Sequence, residues 1–375
     1  MHTQERGAKV LAPPRRETVP APPASPSAGA TRRPQFGHIE ALDGLRGVAV
    51  AAVLLYHFAP SIAPGGFLGV DLFFVLSGFL ITSLLVNEWR GTRRIAFANF
   101  WMRRARRLLP ALFLVLGVVG VYELLVANPV DAHHVASDGL WSTFYLANWH
   151  FIASGQSYIQ QFLFTEPSPL RHMWSLAIEE QFYLVWPLVV FAAGALAARG
   201  GATLRGQDRR FRRYLVAACL LIGVASFVRM LTLFEPGADP SRIYYGTDSR
   251  AFIVLIGALV GVLSAGVPTV RVGIRRFALI VAGLAGAVAL VVAMATLSID
   301  SAFLYRGGYG LIGVAMVLVL VAAAQPGPNL LAVCFRWRPL VGLGLISYGV
   351  YLWHWPIGLW VNEGNTPFSG FSLFV

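Results

Sequence analysis

Uncharged apolar runs, set apart by arginines, glycines and prolines, recur along the chain from about residue 40 to residue 360. Nine approach or reach the length of about 20 residues that a helix needs to cross a hydrocarbon core. They cover roughly 44–60, 67–87, 108–127, 178–198, 214–234, 251–267, 277–297, 308–324 and 340–360. The pattern predicts an all-α integral membrane protein, a polytopic helical bundle with at least nine transmembrane helices. The first run is short and opens on charges. Residues 1–38 break the pattern. "LAPPRRETVPAPPASPSAGATRRP" is Pro, Ala and Arg with almost no large apolar side chain, so it cannot bury enough surface to offset its ordering entropy. It reads as a disordered tail ahead of a membrane domain over 39–375, and it lacks the charged and apolar regions of a secretory signal.

Composition agrees and adds orientation. The 375 residues are 56% hydrophobic and 13% charged, about half the charge of an ordinary soluble domain. With the N-terminus in the cytoplasm and nine alternating spans, 25 of the 30 Lys and Arg residues fall inside. Only Arg171, Arg242, Arg250 and Arg306 fall outside, and Arg229 lies within a span. That split obeys the positive-inside rule and implies a multi-pass protein of the cell (inner or plasma) membrane with a cytoplasmic N-terminus. The net charge of +12 is then topogenic and faces anionic lipid, with no nucleic acid implied. Cys219 and Cys334 have no metal or disulfide spacing, and no metal site is expected. No internal repeat of the kind that builds many transporters is evident.

Ionisable residues inside this apolar frame mark the candidate chemistry, because such groups are costly in a membrane and normally line a cavity or pathway. In "DGLRGVAVAAVLLYH", residues 43–57, Asp43, Arg46 and His57 share one helical face, with Arg46 and His57 about 16 Å apart along the axis. In "FWMRRARRLLP", Arg104 and Arg107 share a face at the mouth of the third span. That is topogenic charge or a clamp for an anionic cosubstrate. In "PLRHMWSLAIEEQFYLVWP", His172, Ser175, Glu179 and Tyr183 form one polar stripe, and Glu179, Glu180 and Gln181 enter an apolar run together. His354 in "WHWP" reads as part of an aromatic belt. Asp248 and Arg250 read as a pair at an outer mouth. The aromatic stretch 128–171 has room for a re-entrant segment or an acceptor platform.

Taken together these segments resemble the acyltransferase 3 family of integral membrane O-acyltransferases, the group that acylates bacterial surface glycans. "LDGLRGVAVAAVLLYH" is similar to its Arg-x10-His motif at Arg46 and His57. "GVDLFFVLSGFLIT", "RRARRLLP", "HMWSLAIEEQFYLVWP" and "SYGVYLWHWPI" match further signatures in order, over about residues 40–360. The resemblance implies an acyl-CoA donor, acetyl-CoA above all, on the cytoplasmic side. It implies a hydroxyl of a glycan or glycolipid as acceptor on the far side. His57 is then a base or an acyl-carrying nucleophile. Arg46 stabilises developing charge or holds donor phosphate, Arg104 and Arg107 grip the CoA phosphates, and Glu179 orients His57 or binds acceptor hydroxyls. Asp43, His172, Ser175 and Tyr183 are candidate substrate contacts. Members end with at least one further span, and some add an esterase domain, so a chain ending at Val375 reads as truncated. The competing class is a transporter or channel without acyl-transfer chemistry. A transporter distributes such groups along a pathway, whereas an acyltransferase gathers them at one reaction centre.

Overall fold

The computed structural model describes residues 38–126, 129–159, 167–199, 203–264, 270, 273–327 and 329–361. The predicted N-terminal tail and the stretch in which a further span is expected lie outside the described residues. Helices account for most of the remainder, and no strand occurs among the described residues. The long helices are α1 (Glu40–Phe58), α2 (Leu68–Thr92), α3 (Phe97–Val126), α6 (Met173–Ala198), α7 (Leu204–Leu233), α9 (Thr247–Ser264), α10 (Ile274–Thr296), α11 (Tyr309–Ala323) and α13 (Arg338–Trp360). Between them lie the shorter α4 (Pro129–Thr143), α5 (Ala147–Ala153), α8 (Ser241–Tyr245) and α12 (Leu330–Phe335). A π turn, Leu304–Gly308, leads into α11, and the chain kinks there at Gly307, whose φ is 118°.

Each long helix covers one predicted run, but α3 and α7 start well before their apolar stretches. Their leading turns are rich in arginine, which limits membrane depth without opposing the helix. Among the described residues eight helices are long and apolar enough to cross a bilayer, α11 counting together with the π turn that leads into it as Leu304–Ala323. The ninth predicted span, α13, reaches 23 residues but is diluted by Gly, Ser, Tyr, His and Arg. It does not stand among the eight, so the expected count of at least nine is not confirmed among the described residues. The aromatic stretch 128–171 contributes α4 and α5, of 15 and 7 residues, neither long enough to span.

Burial separates central from peripheral helices. Of the most apolar stretch of α2, 78% is buried, against 17% for α3 and 22% for α7 and α10. The outer helices turn residues such as Leu124, Leu221 and Val291 outward, which suits hydrocarbon as solvent. In the interior α2 packs along α9 and α1 along α13. The second contact is unusually close. A Cβ on Gly344 would stand 1.8 Å from the Asp43 carbonyl oxygen, and one on Gly47 2.1 Å from that of Leu340. Small residues at such a crossing let backbones touch, and this proximity carries the chemistry of α13 onto α1.

The expected Asp248–Arg250 pair does not form. Arg250, on α9, is fully buried and donates from Nη2 to Asp71 on α2. Its guanidinium lies 4.0 Å over the Tyr309 ring. Asp248 points the other way and accepts from Arg242 at 2.8 Å and Arg229 at 3.3 Å. Residues two apart on a helix diverge by about 200°, so one of the two reaches the core and the other the surface.

Candidate active site

The arginines of the third span and the polar stripe of α6 meet across one chamber of about 340 Å³. Its wall holds Arg46 from α1, Ser77 from α2, and Arg103, Arg104 and Arg107 from α3. Ser175, Glu179 and Tyr183 come from α6, and Ser347, Tyr348 and Tyr351 from α13. The stripe is hydrogen-bonded. Glu179 Oε1 accepts from Ser77 at 3.1 Å and its Oε2 from the Tyr183 hydroxyl at 3.2 Å. Arg104 is committed within the wall. Its Nη2 donates to Glu180 Oε1 at 3.3 Å, and its guanidinium lies 3.4 Å over the Tyr183 ring. Arg46 pairs with Asp43 at 3.4 Å, and Asp43 also meets His38 at 2.6 Å.

Arg103 and Arg107 differ. They are exposed, lie one turn apart on one face, and have no carboxylate partner among the described residues. Two such forks with open donors suit a polyanionic group with bidentate oxygens. Sequence reading paired Arg104 with Arg107. In the fold Arg103 and Arg107 carry the open charge, and Arg104 braces α3 against α6.

Beyond the chamber lies a second cavity of about 10 Å³, room for roughly one water. Its lining includes His57, Arg171, His172, Tyr158, Tyr244 and Trp355, and it shares Val70 and Tyr351 with the chamber. Tyr351 therefore stands between the two spaces. Its hydroxyl is 2.6 Å from Ser175 Oγ and donates to the His172 carbonyl at 3.2 Å. Both ring nitrogens of His172 are buried without a hydrogen-bond partner. Burial, together with neighbouring His354, pushes this ring well below the ordinary histidine range.

His57 is held by a neighbour that sequence reading gave to an aromatic belt. Its Nδ1 is 3.0 Å from the Val53 carbonyl oxygen and 3.2 Å from His354 Nε2. Its Nε2 makes no hydrogen bond to any described residue. The rings of Tyr56 and Trp355 lie 5.0 and 4.8 Å from it, centroid to centroid.

Two expectations are corrected by this layout. His57, Arg46, Arg104 and Glu179 do not gather at one centre. Arg46, Arg104 and Glu179 line the chamber, while His57 opens on the second cavity. Arg46 and His57 share a helical face, but the separation along the axis outweighs the shared face. Nor does Glu179 orient His57, since its oxygens are taken by Ser77 and Tyr183. The guanidinium that shares a cavity with His57 is that of Arg171, which is 1% exposed and donates to the Tyr158 carbonyl at 3.3 Å. Arg103, Arg171, Tyr351 and His354 were thus missed. The spacing of Tyr348, Tyr351 and His354 along one face of α13 was the available signal for the last two. Among the described residues no group of three His, Cys, Asp or Glu side chains is placed to hold a metal ion.

Comparison with known proteins extends this picture. The family model described as an acyltransferase domain (acyltransferase 3) matches residues 39–375. "Peptidoglycan O-acetyltransferase OatA" of Listeria monocytogenes is 38% identical over 335 residues, covering 87% of this chain and 50% of the relative. "Putative peptidoglycan O-acetyltransferase YrhL" of Bacillus subtilis is 39% identical over 326 residues, 85% of this chain and 48% of the relative. "O-acetyltransferase OatA" of Staphylococcus aureus is 33% identical over 337 residues, 88% of this chain and 53% of the relative. The chain thus spans about half the length of the curated relatives it matches. No solved structure matches.

Proposed function

The chain belongs to the acyltransferase 3 family, and from that premise we propose that it moves an acetyl group from cytoplasmic acetyl-CoA to a hydroxyl of a cell-wall glycan. Peptidoglycan is the acceptor that the relatives' names suggest. One observation carries the reading: an arginine-lined chamber and a cavity holding a histidine with an open ring nitrogen meet at a shared wall of Val70 and Tyr351. The phosphates of the donor would lie at Arg103 and Arg107, with Arg46 behind them, and the thioester would approach the shared wall past Ser77, Glu179 and Ser175.

The chemistry then falls to His57. Its Nε2 removes the acceptor's hydroxyl proton as that oxygen attacks the thioester carbonyl. A carbon–oxygen bond forms, the carbon–sulfur bond breaks, and the imidazolium returns its proton to the departing thiolate. Arg171, in the same cavity, stabilises negative charge on the tetrahedral intermediate. The route through an acyl-imidazole uses the same nitrogen. An acyl group retained on His57 after donor is added without acceptor would select that route.

The direct test compares muropeptides from cells with and without the protein by mass spectrometry. Loss of O-acetyl groups without the protein supports the reading, and an unchanged pattern overturns the acceptor. The donor end is tested separately. Replacing both Arg103 and Arg107 with Ala is expected to raise the KM for acetyl-CoA at least about 100-fold, since each charge-assisted contact contributes about 1.5–3 kcal/mol. The kcat should change little, because the lost contact is made equally in the ground and transition states. An unchanged KM would remove the clamp.

Orientation has its own test. Arg209 and His134 are both exposed and lie on opposite sides in the expected topology. With exposed Cys334 replaced by Ser, Arg209→Cys is expected to react with a membrane-impermeant thiol reagent only from the cytoplasm. His134→Cys should react only from outside. Reaction of both from one side would refute the topology.

A further inference from the structure

The hydrogen bonds around His57 and His354 fix where every ring proton lies. His354 Nδ1 is 2.6 Å from the Tyr351 carbonyl oxygen. An oxygen offers only lone pairs, so this nitrogen carries the proton. In the neutral ring His354 Nε2 then bears the lone pair. That lone pair faces His57 Nδ1 at 3.2 Å, and the Val53 carbonyl oxygen faces the same nitrogen at 3.0 Å. Two acceptors converge on His57 Nδ1, so it too carries the proton, shared between them. The other tautomer would set its lone pair against two more. His57 Nε2 is left unprotonated beside the second cavity.

Resting on the reading of His57 as the base, we propose that His354 is the positioning residue that fixes this tautomer. It also receives the Nδ1 proton of the imidazolium as a hydrogen bond. When Nε2 takes the hydroxyl proton, the positive charge spreads over the ring and Nδ1–H becomes a stronger donor. The His354 lone pair is already in place to accept from it, so little reorganisation is needed. His354 stays neutral through the cycle, anchored by its Nδ1–H on the Tyr351 carbonyl. An imidazole thus fills the place that a carboxylate takes in a serine hydrolase triad, where a wrong tautomer removes most of the rate. A neutral partner suits a site in the membrane interior, where a carboxylate would be costly. His354 is 5% exposed and comes to α1 on the close α1–α13 crossing.

The experiment is a substitution series at 354, assayed with acetyl-CoA and glycan acceptor. His354→Leu removes the acceptor and is expected to lower kcat about 100-fold, with the KM for acetyl-CoA unchanged. His354→Gln keeps an amide oxygen that can accept from His57 Nδ1 and is expected to recover activity to within about tenfold of wild type. In a His57→Gln background, His354→Leu should cause no further loss, because its effect passes through His57. Wild-type kcat in His354→Leu overturns the proposal. So does equal loss in the Leu and Gln variants, or the same fold-loss in the His57→Gln background. If the Leu variant fails to accumulate, His354→Phe removes the acceptor while keeping a ring in the site. A fully active His57→Gln enzyme would instead refute the base reading itself, whatever the 354 series gives.

Discussion

His57→Gln is expected to leave only a residual rate of acyl transfer while acetyl-CoA binding stays near the wild-type level. Glutamine keeps much of the size and hydrogen-bonding capacity of histidine but cannot take up a proton near neutral pH. A positioned general base contributes about 10²–10⁴-fold, so kcat should fall at least about 100-fold. Donor binding should survive because the arginines proposed to meet the phosphates line a different space from the one holding His57. Steady-state kinetics in proteoliposomes separates the two terms, and O-acetyl content of the cell wall reports the same loss in cells. A joint fall in kcat and donor affinity would mean that the histidine supports the chamber. Wild-type acylation would place the chemistry elsewhere. A transporter that merely threads an acyl donor through the membrane predicts little dependence on a proton acceptor at this position.

The spans were legible because a helix in hydrocarbon has few alternatives. With no water to satisfy the backbone, an apolar run of this length must be helical. The polar stripe on α6 was legible for a related reason. Positions 175, 179 and 183 lie on one face whatever packs against them, and Ser175, Glu179 and Tyr183 do face one chamber.

What failed were inferences about distance and partner. Arg46 and His57 share a face, yet eleven residues of rise carry them into separate cavities. Choosing Arg104 over Arg103 required the rotation of α3 about its axis, which is set by its contact with α6 and by the Glu180 side chain. The partner of His57 stands 297 positions away in sequence, and that of Arg250 stands 179 away. Helical periodicity carries no information at that range. In "WHWP" the flanking tryptophans supported an interfacial reading, and only the α1–α13 crossing reveals that the histidine turns inward. The glycines at 47 and 344 were visible all along. Their meaning came from the backbones they admit.

Asp71→Ala is expected to cost about 3–5 kcal/mol of stability, the usual penalty for stranding one member of a buried ion pair. Arg250 has no accessible surface, and its Nε and Nη1 already lack partners. Its charge is balanced by Asp71 and by the faces of Tyr309 and Tyr244, at 4.0 and 5.1 Å. A ring face offsets roughly 0.5–2 kcal/mol of a cation's desolvation, far less than a carboxylate does. With Asp71 gone, the guanidinium must either draw water between α2 and α9 or force the two helices apart. That crossing lies at the centre of the bundle, and Tyr244 also lines the His57 cavity, so loss of stability and loss of activity should appear together. The double variant Asp71→Leu with Arg250→Met separates charge from packing. It removes both ions and fills the space with apolar atoms, and such replacements are often neutral or stabilising. Thermal unfolding in detergent should therefore show a large fall in Tm for Asp71→Ala and recovery of most of it in the double variant. A single variant as stable as wild type would mean that Arg250 is solvated in the native protein. A double variant as damaged as the single would mean that the pair fixes the register of α2 on α9 by its geometry, beyond balancing charge.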